Sequence, residues 1–177
     1  ISAKIHGRRK KFIEDHKMFE YSYDDLIKIS LMLGYQLRKI TQEKENIGLF
    51  LPNSIATLGA IFGLTAFGRT PALLNYTIGT DGILSACQAA QINTIVTSRL
   101  FIAQGKLEKV IEELGSKQIV YLEDIRKEMS LSDILWLSLW AKHFPRLATQ
   151  AIDPTDTAVI LFTSGTEGKP KGVLLSH

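Results

Sequence analysis

Short apolar segments alternate with longer amphipathic segments along most of this chain, and this alternation restricts the possible fold more than any other feature. The apolar segments read as buried strands, and the amphipathic ones repeat apolar residues at three- and four-residue spacing. The predicted strands are residues 46–51, 71–74, 92–98 and 118–122, and the predicted helices are residues 23–39, 55–67, 79–91 and 101–114. Such alternation predicts an α/β fold with a largely parallel sheet that is flanked by helices.

Composition excludes several classes of protein. The chain has 177 residues, of which 45% are hydrophobic and 22% charged, so it can bury a sizeable core and is not a disordered chain. Cys87 is the only cysteine, which excludes an internal disulfide and an all-cysteine zinc site. It is expected to be a small core residue. The four histidines lack metal-ligand spacing, so no metal site is predicted.

A run of basic residues, Arg8 to Lys11, lies near the start of the chain. The formal net charge of +3 favours acidic partners such as a carrier protein, anionic lipid or nucleic acid. Two interpretations of the run remain open, a solvated linker and a docking surface.

Residues 131–144 differ from the other helical segments because they are crowded with large apolar side chains. These are Leu131, Ile134, Leu135, Trp136, Leu139, Trp140 and Phe144. Basic residues follow at Lys142, His143 and Arg146. The pattern fits an interfacial helix at a membrane surface, or a helix packed on the protein's own core.

The segment richest in chemical groups follows a predicted strand at residues 157–162 and precedes extended residues 173–176. It contains three hydroxyl residues, two lysines and three glycines within ten positions: Thr163, Ser164, Gly165, Thr166, Glu167, Gly168, Lys169, Pro170, Lys171 and Gly172. Glycines permit the backbone angles that turn successive N–H groups toward one anion, while hydroxyls and ammonium groups add donors and charge. This strand, loop and strand arrangement predicts a phosphate-binding hairpin.

Two common phosphate-binding motifs do not match this segment. A Walker A loop runs into a helix, whereas a strand-like run follows Gly172, and the GxGxxG dinucleotide motif is absent. A mobile surface hairpin would account for the glycines and proline but not for the clustered hydroxyls and lysines.

The ten residues TSGTEGKPKG resemble the signature loop of the AMP-binding superfamily, whose members form acyl-adenylates. YSYDDL, NIGLFLPNS and GRTPALLN are similar to its amino-terminal region. The resemblance implies that the loop holds the β- and γ-phosphates of ATP with Mg²⁺ while a carboxylate attacks the α-phosphorus. Glu167 departs from the commoner Thr, and its carboxylate would repel triphosphate unless it faces magnesium or a backbone donor. His177 follows Ser176 as in many relatives, and structural support is favoured over catalysis for it because no nucleophile partner is visible near it. No catalytic residue is predicted.

Further segments, TSGTEG, NYTIG, TSRLFIAQGKL and VYLED, are similar to one branch, the bifunctional acyl-[acyl-carrier-protein] synthetase/2-acylglycerophosphoethanolamine acyltransferases. This likeness implies a fatty acid substrate, acyl carrier protein or CoA as acceptor, a lysophospholipid, a location at the bacterial inner membrane, and no nucleic acid partner. It also implies that residues 1–19 are a basic linker after an upstream domain.

Residues 20–177 would then be an incomplete amino-terminal subdomain that is inactive alone. The alternatives are a free-standing acyl- or aryl-CoA ligase and a non-catalytic nucleotide-binding fragment.

Overall fold

The computed structural model describes residues 2–14, 18–164 and 170–177. Its α-helices are α1 (Ser2–His6), α2 (Tyr23–Leu37), α3 (Ile55–Ala66), α4 (Gly79–Ala89), α5 (Arg99–Gly105), α6 (Glu108–Glu113), α7 (Leu122–Lys127), α8 (Leu131–Leu135) and α9 (Pro145–Ala148). Its strands are β1 (Lys11–Glu14), β2 (Glu20–Ser22), β3 (Asn46–Leu49), β4 (Thr70–Leu73), β5 (Thr94–Thr97), β6 (Gln118–Tyr121), β7 (Thr157–Ser164) and β8 (Pro170–Ser176). A 3₁₀ turn spans Tyr76–Ile78, and a π-helix spans Trp136–Ala141.

The central sheet confirms the predicted α/β class. In the described part of the chain it has six strands in the order β6-β5-β3-β4-β7-β8. All neighbouring strands are parallel except β7 and β8, which pair antiparallel as a hairpin. Because β4 and β5 lie on opposite sides of β3, the sheet grows in two directions and helices cover both faces.

Side chains from alternate sheet positions supply two separate cores. Ile95 and Ile160 enter the first core, which includes α4 and reaches α5 and α6. Val96 and Ile47 enter the second core, beneath α2, α3 and α7. Burial of both faces explains why the sequence shows continuous apolar runs in these strands instead of alternation.

Helix α2 begins at a capping box and packs closely on α3. Ser22 Oγ accepts a hydrogen bond from the Asp25 N–H, and the Asp25 carboxylate accepts one from the Ser22 N–H at 2.9 Å. This arrangement satisfies donors that every helix leaves free at its first turn. The two helices cross where Gly34 faces Gly63.

The structure differs from the sequence predictions in several elements. Residues 101–114 form two helices, because Lys106 adopts a left-handed conformation, with φ of 52°, that ends α5. The helix predicted at 131–144 becomes α8 followed by a π-helix that ends at Ala141. Helix α7 and the hairpin of β1 and β2 were not predicted.

That hairpin lies partly within the predicted basic linker. Its short strands are mostly exposed, so they lack the apolar pattern that signals a strand. Phe12 stacks on Tyr23 with ring centroids 3.8 Å apart. The assignment of residues 1–19 to a linker stays a prediction.

A bilayer-crossing helix needs both length and hydropathy, and no helix within residues 2–14, 18–164 and 170–177 combines the two.

Candidate functional site

The hairpin of β7 and β8 holds together the two ends of the glycine-rich segment. Thr163 pairs with Lys171, and Ser164 pairs with Pro170. Directly opposed residues in an antiparallel pair share one face, with Cβ atoms about 5 Å apart. The side chains of Thr163 and Lys171 therefore project from the same face of the hairpin.

This pair projects away from the first core. Ile160 is 2% exposed and Phe162 packs against the same core, so alternation along β7 places Thr163 on the opposite face. Thr163 and Lys171 are both exposed. Their polar groups remain available to a ligand because the core does not cover them.

Several predicted site residues cannot be compared with the structure. Gly165, Thr166, Glu167, Gly168 and Lys169 lie outside the described residues, as does the side chain of Ser164. Their role in binding phosphate stays a prediction.

The sequence argument that glycines supply unusual backbone angles here does not apply to Gly172. It lies within β8, paired with Phe162, and is not among the described glycines with positive φ. A Cβ at this position would make ordinary contacts, the nearest with Ile160 Cγ2 at 3.5 Å. Neither conformation nor space requires glycine at position 172, because a regular strand accepts any residue.

The loop predicted to bind phosphate follows the carboxyl end of β7, at the sheet edge where all the parallel strands end. Ligands of open α/β sheets bind at this edge. Ala72 of β4 pairs with Ile160 of β7, so Asn75, three residues further on, is level with Thr163. Asn75 Oδ1 accepts hydrogen bonds from the Thr77 N–H at 2.9 Å and the Thr77 hydroxyl at 2.8 Å.

Asn75 and Thr77 are candidate residues that the sequence analysis missed. They help to line a cavity of about 350 Å³ together with Asn53 and Leu73. The sequence did contain a signal for both residues, because they directly follow a predicted strand. Polar residues at the carboxyl ends of parallel strands lie at the edge of the sheet where ligands bind.

Aromatic side chains fill the other possible crevice, between the carboxyl ends of β3 and β5. Phe50 is fully buried, and its ring lies 5.7 Å from that of Phe101 in an edge-to-face arrangement. Tyr76 makes a second such contact with Phe101 at 5.3 Å. Aromatic packing therefore occupies the topological switch point of the sheet, whereas the predicted phosphate-binding loop follows β7 at the other side of β4.

Polar groups near β5 and β6 are already used within the fold. Ser98 donates a hydrogen bond to Glu123 at 2.8 Å, and Arg99 makes a two-bond ion pair with Asp124. Burial opposes ionisation of Glu123, but hydrogen bonds from backbone N–H groups and from Ser98 outweigh it and lower its pKa. These contacts hold α5 against α7.

Two other residues considered in the sequence lie away from this edge. His177 follows Ser176, which pairs with Thr157 at the start of β7, so it lies at the opposite end of the hairpin from the loop. Cys87 is fully buried in the first core, as predicted, and burial raises the pKa of its thiol.

The described part of the candidate site offers hydrogen-bond donors that suit a phosphate group. An exposed hydroxyl and an exposed ammonium on one face of the hairpin are suitable donors for phosphate oxygens. In the ranges that the structure covers, no group of three or more His, Cys, Asp or Glu could hold a metal ion. Mg²⁺ commonly binds through substrate phosphates and one or two carboxylates, so ATP-bound Mg²⁺ needs no such group.

Comparison with known proteins adds independent findings. A family model described as AMP-binding enzyme matches residues 2–177. The chain is 25% identical over 159 residues to 4-coumarate–CoA ligase of Vanilla planifolia, covering 89% of this chain and 28% of the ligase. It is 22% identical over 193 residues to long-chain-fatty-acid–CoA ligase 1 of Schizosaccharomyces pombe, covering 100% of this chain and 28% of the ligase.

A solved structure has the same fold. It is o-succinylbenzoate CoA synthetase of Bacillus subtilis in complex with its acyl-adenylate intermediate, with a TM-score of 0.73 at 20% identity. The alignment covers 98% of this chain and 40% of the synthetase. The chain thus spans under half of that synthetase and 28% of each of the two ligases.

Proposed function

Because the chain belongs to the AMP-binding enzyme family, we propose that it is part of an enzyme that activates a carboxylic acid with ATP. A carboxylate oxygen forms a bond to the α-phosphorus, and the bond from that phosphorus to the bridging oxygen of pyrophosphate breaks. The products are an acyl-adenylate and pyrophosphate. The observation that carries this proposal is the pairing of Thr163 with Lys171 beside the glycine-rich loop.

The proposed roles of the residues follow from charge and position. The Lys171 ammonium would offset the negative charge that grows on pyrophosphate as it leaves, and the Thr163 hydroxyl would donate to a phosphate oxygen. Bound Mg²⁺ would supply further charge neutralisation to the phosphates. Both side chains extend from paired strands, so little reorganisation is needed when the nucleotide binds.

The more specific proposal is that the acid is a fatty acid, which is then transferred to a thiol. The fission yeast relative is named as a long-chain-fatty-acid–CoA ligase, which favours a fatty acid and CoA. The likeness to the bifunctional branch favours acyl carrier protein, further transfer to 2-acylglycerophosphoethanolamine, and a location at the bacterial inner membrane. A free-standing CoA ligase is equally compatible with the relatives.

Substitution of Lys171 by Ala tests the adenylation step. We expect carboxylate-dependent exchange between ATP and pyrophosphate by the full-length protein to fall at least about tenfold, because a charged donor to the phosphates is lost. Lys109→Ala, which removes an exposed lysine on α6, is the matched control and should retain full exchange. Undiminished exchange in Lys171→Ala, with unaltered folding, would remove Lys171 from the site.

The acceptor is decided by product analysis. Supplying CoA and acyl carrier protein separately with a labelled fatty acid would show which thiol becomes acylated. Labelled lysophospholipid product would support the bifunctional branch, and its absence with an active thiol ligase would favour the free-standing enzyme. Calorimetric binding of ATP without any exchange would favour the non-catalytic alternative.

A further inference from the structure

We propose that the segment from α8 to α9 docks on an anionic membrane surface through one apolar face. This outer face is defined by the side chains of Leu131, Leu135 and Leu139, which follow one another at four-residue steps. This docking rests on the inner-membrane location proposed above, but it involves neither the phosphate loop nor the adenylation chemistry.

The opposite side of the segment is anchored to the protein. Trp136 stacks on Tyr35 of α2 with ring centroids 4.1 Å apart, and Ala141 is fully buried against Leu31. Asp133 is 5% exposed and accepts hydrogen bonds from α2. The segment therefore has a fixed orientation, with one side determined by α2.

The outer face remains exposed despite its apolar character. Leu131 is 80% exposed, Leu135 is 57% exposed and Leu139 is 70% exposed. The i to i+5 hydrogen bonds of the π-helix widen its turn, so residues four and five apart share a side. Large exposed apolar surfaces on folded proteins generally mark sites of interaction.

The charges around this face favour an anionic partner. Within residues 129–152 the one carboxylate is Asp133, which is buried and paired with Lys39 at 2.9 Å, and the exposed Glu128 lies just before this range. His143 and Arg146 are exposed in the same segment. The side chain of Arg8 donates a hydrogen bond to the Lys142 carbonyl at 2.8 Å.

This hydrogen bond brings the basic run beside the segment. Arg9 and Lys10 are exposed, so they add positive charge at its border, while the neighbouring Asp24 is neutralised by ion pairs with Arg8 and Lys28. Exposed leucines flanked by Lys and Arg match the chemistry of an interfacial element that binds anionic lipid. An anionic membrane would contact the apolar face with its acyl chains and the cations with its headgroups. An uncharged protein surface would interact with the apolar face alone.

The structure also selects the variant for the test. Replacement of Trp136 would break its stacking on Tyr35, so that change would mix binding with stability. Leu135 and Leu139 are 57% and 70% exposed, so Leu135→Ser/Leu139→Ser removes apolar surface without disturbing a core. Leu100→Ser is the control, because that leucine is 54% exposed on α5.

The experiment is flotation of the full-length protein with two kinds of vesicle, phosphatidylglycerol mixed with phosphatidylcholine and phosphatidylcholine alone. We expect binding to the first kind only, weakened at least about tenfold in Leu135→Ser/Leu139→Ser and unchanged in the control. Binding should also fall at high salt and in Arg9→Gln/Lys10→Gln/Arg146→Gln, because the electrostatic attraction is screened or removed.

Absence of vesicle binding by the unmodified protein would overturn the proposal, as would undiminished binding of Leu135→Ser/Leu139→Ser. If these substitutions instead abolish self-association measured by sedimentation and the unmodified protein does not bind vesicles, the face is an interface between copies of the chain. Exchange between ATP and pyrophosphate, measured in parallel, keeps this result separate from the test of adenylation.

Discussion

Asp133 is the residue at which local and long-range interactions coincide. Its carboxylate caps α8 by accepting a hydrogen bond from the Ser130 N–H, and it also accepts hydrogen bonds from Gln36 at 2.8 Å and Lys39 at 2.9 Å. The hydrogen bond from Gln36, followed by that from Lys39, holds the pKa of Asp133 far below its ordinary value. One carboxylate thus joins the start of the α8 segment to the end of α2.

Asp133→Asn should lower the free energy of unfolding by about 2 kcal/mol at neutral pH, because a buried, charge-assisted contact is lost. The folded-state pKa is depressed, so the stabilisation is complete above the unfolded pKa of about 4 and disappears as pH falls through the folded value. Denaturant titrations of both proteins between neutral and strongly acidic pH check this, and their stabilities should converge at the acid end.

A matched control for this experiment is Asp156→Asn. Asp156 has a side chain that is 41% exposed and pairs with Lys44 at 3.2 Å, so its loss should cost well under about 1 kcal/mol. If the two substitutions had equal effects at neutral pH, the buried network would not have the importance assigned to it.

At the scale of elements, close approach of α2 and α3 determines how the second core is covered. A Cβ built on Gly34 would lie 2.3 Å from the Gly63 carbonyl oxygen, and one on Gly63 would lie 2.5 Å from the Ser30 carbonyl oxygen. The obstructing atoms are backbone, which cannot rotate away. Both positions therefore need glycine for space, whereas a glycine inside a helix is otherwise unfavourable.

Gly34→Ala should destabilise the protein by about 2 to 3 kcal/mol, since the helices must separate to admit one methyl group. Gly105→Ala on α5 is the contrasting variant, because the atoms nearest its Cβ would be Cδ1 and Cγ of Leu107, at the far end of a side chain that can rotate away. That substitution should be neutral or stabilising by up to about 1 kcal/mol. Chemical denaturation measures both, and equal stability of Gly34→Ala and the unmodified protein would contradict the packing argument.

For the whole molecule, the sheet has one edge at β8 among the described strands. Leu174 is 64% exposed there, and Val173 and Leu175 are 40% and 42% exposed. An apolar terminal strand offers both unpaired backbone groups and side chains to another strand.

We expect the 177-residue chain to self-associate through β8, and Leu174→Lys to reduce this association, because a charge on an edge strand opposes pairing. Sedimentation velocity over a range of concentrations is the measurement. Leu100→Lys on α5, where the leucine is 54% exposed, changes charge equally and should leave association unaltered. A monomeric unmodified chain, or equal effects of both variants, would show that β8 is not the contact.

Much of this architecture is encoded in local sequence patterns. The strand at 46–51, the helix at 23–39 and the parallel class were predicted from apolar spacing, because burial on one or both faces imposes a periodicity that the sequence must display. The hairpin around TSGTEGKPKG was predicted from the types of residue in it. Hydroxyls, lysines and glycines clustered between two strands are typical of a loop that binds an anion.

Other properties depend on contacts between residues far apart in the chain, which no local pattern records. The pairing of Gly34 with Gly63 and the contact of Asp133 with Gln36 join separate elements. Strand order brings the rings of Phe50 and Phe101 together. It also places Asn75 level with Thr163. The amphipathic pattern of 131–144 left two environments possible, and only packing against α2 decided which of its side chains are buried.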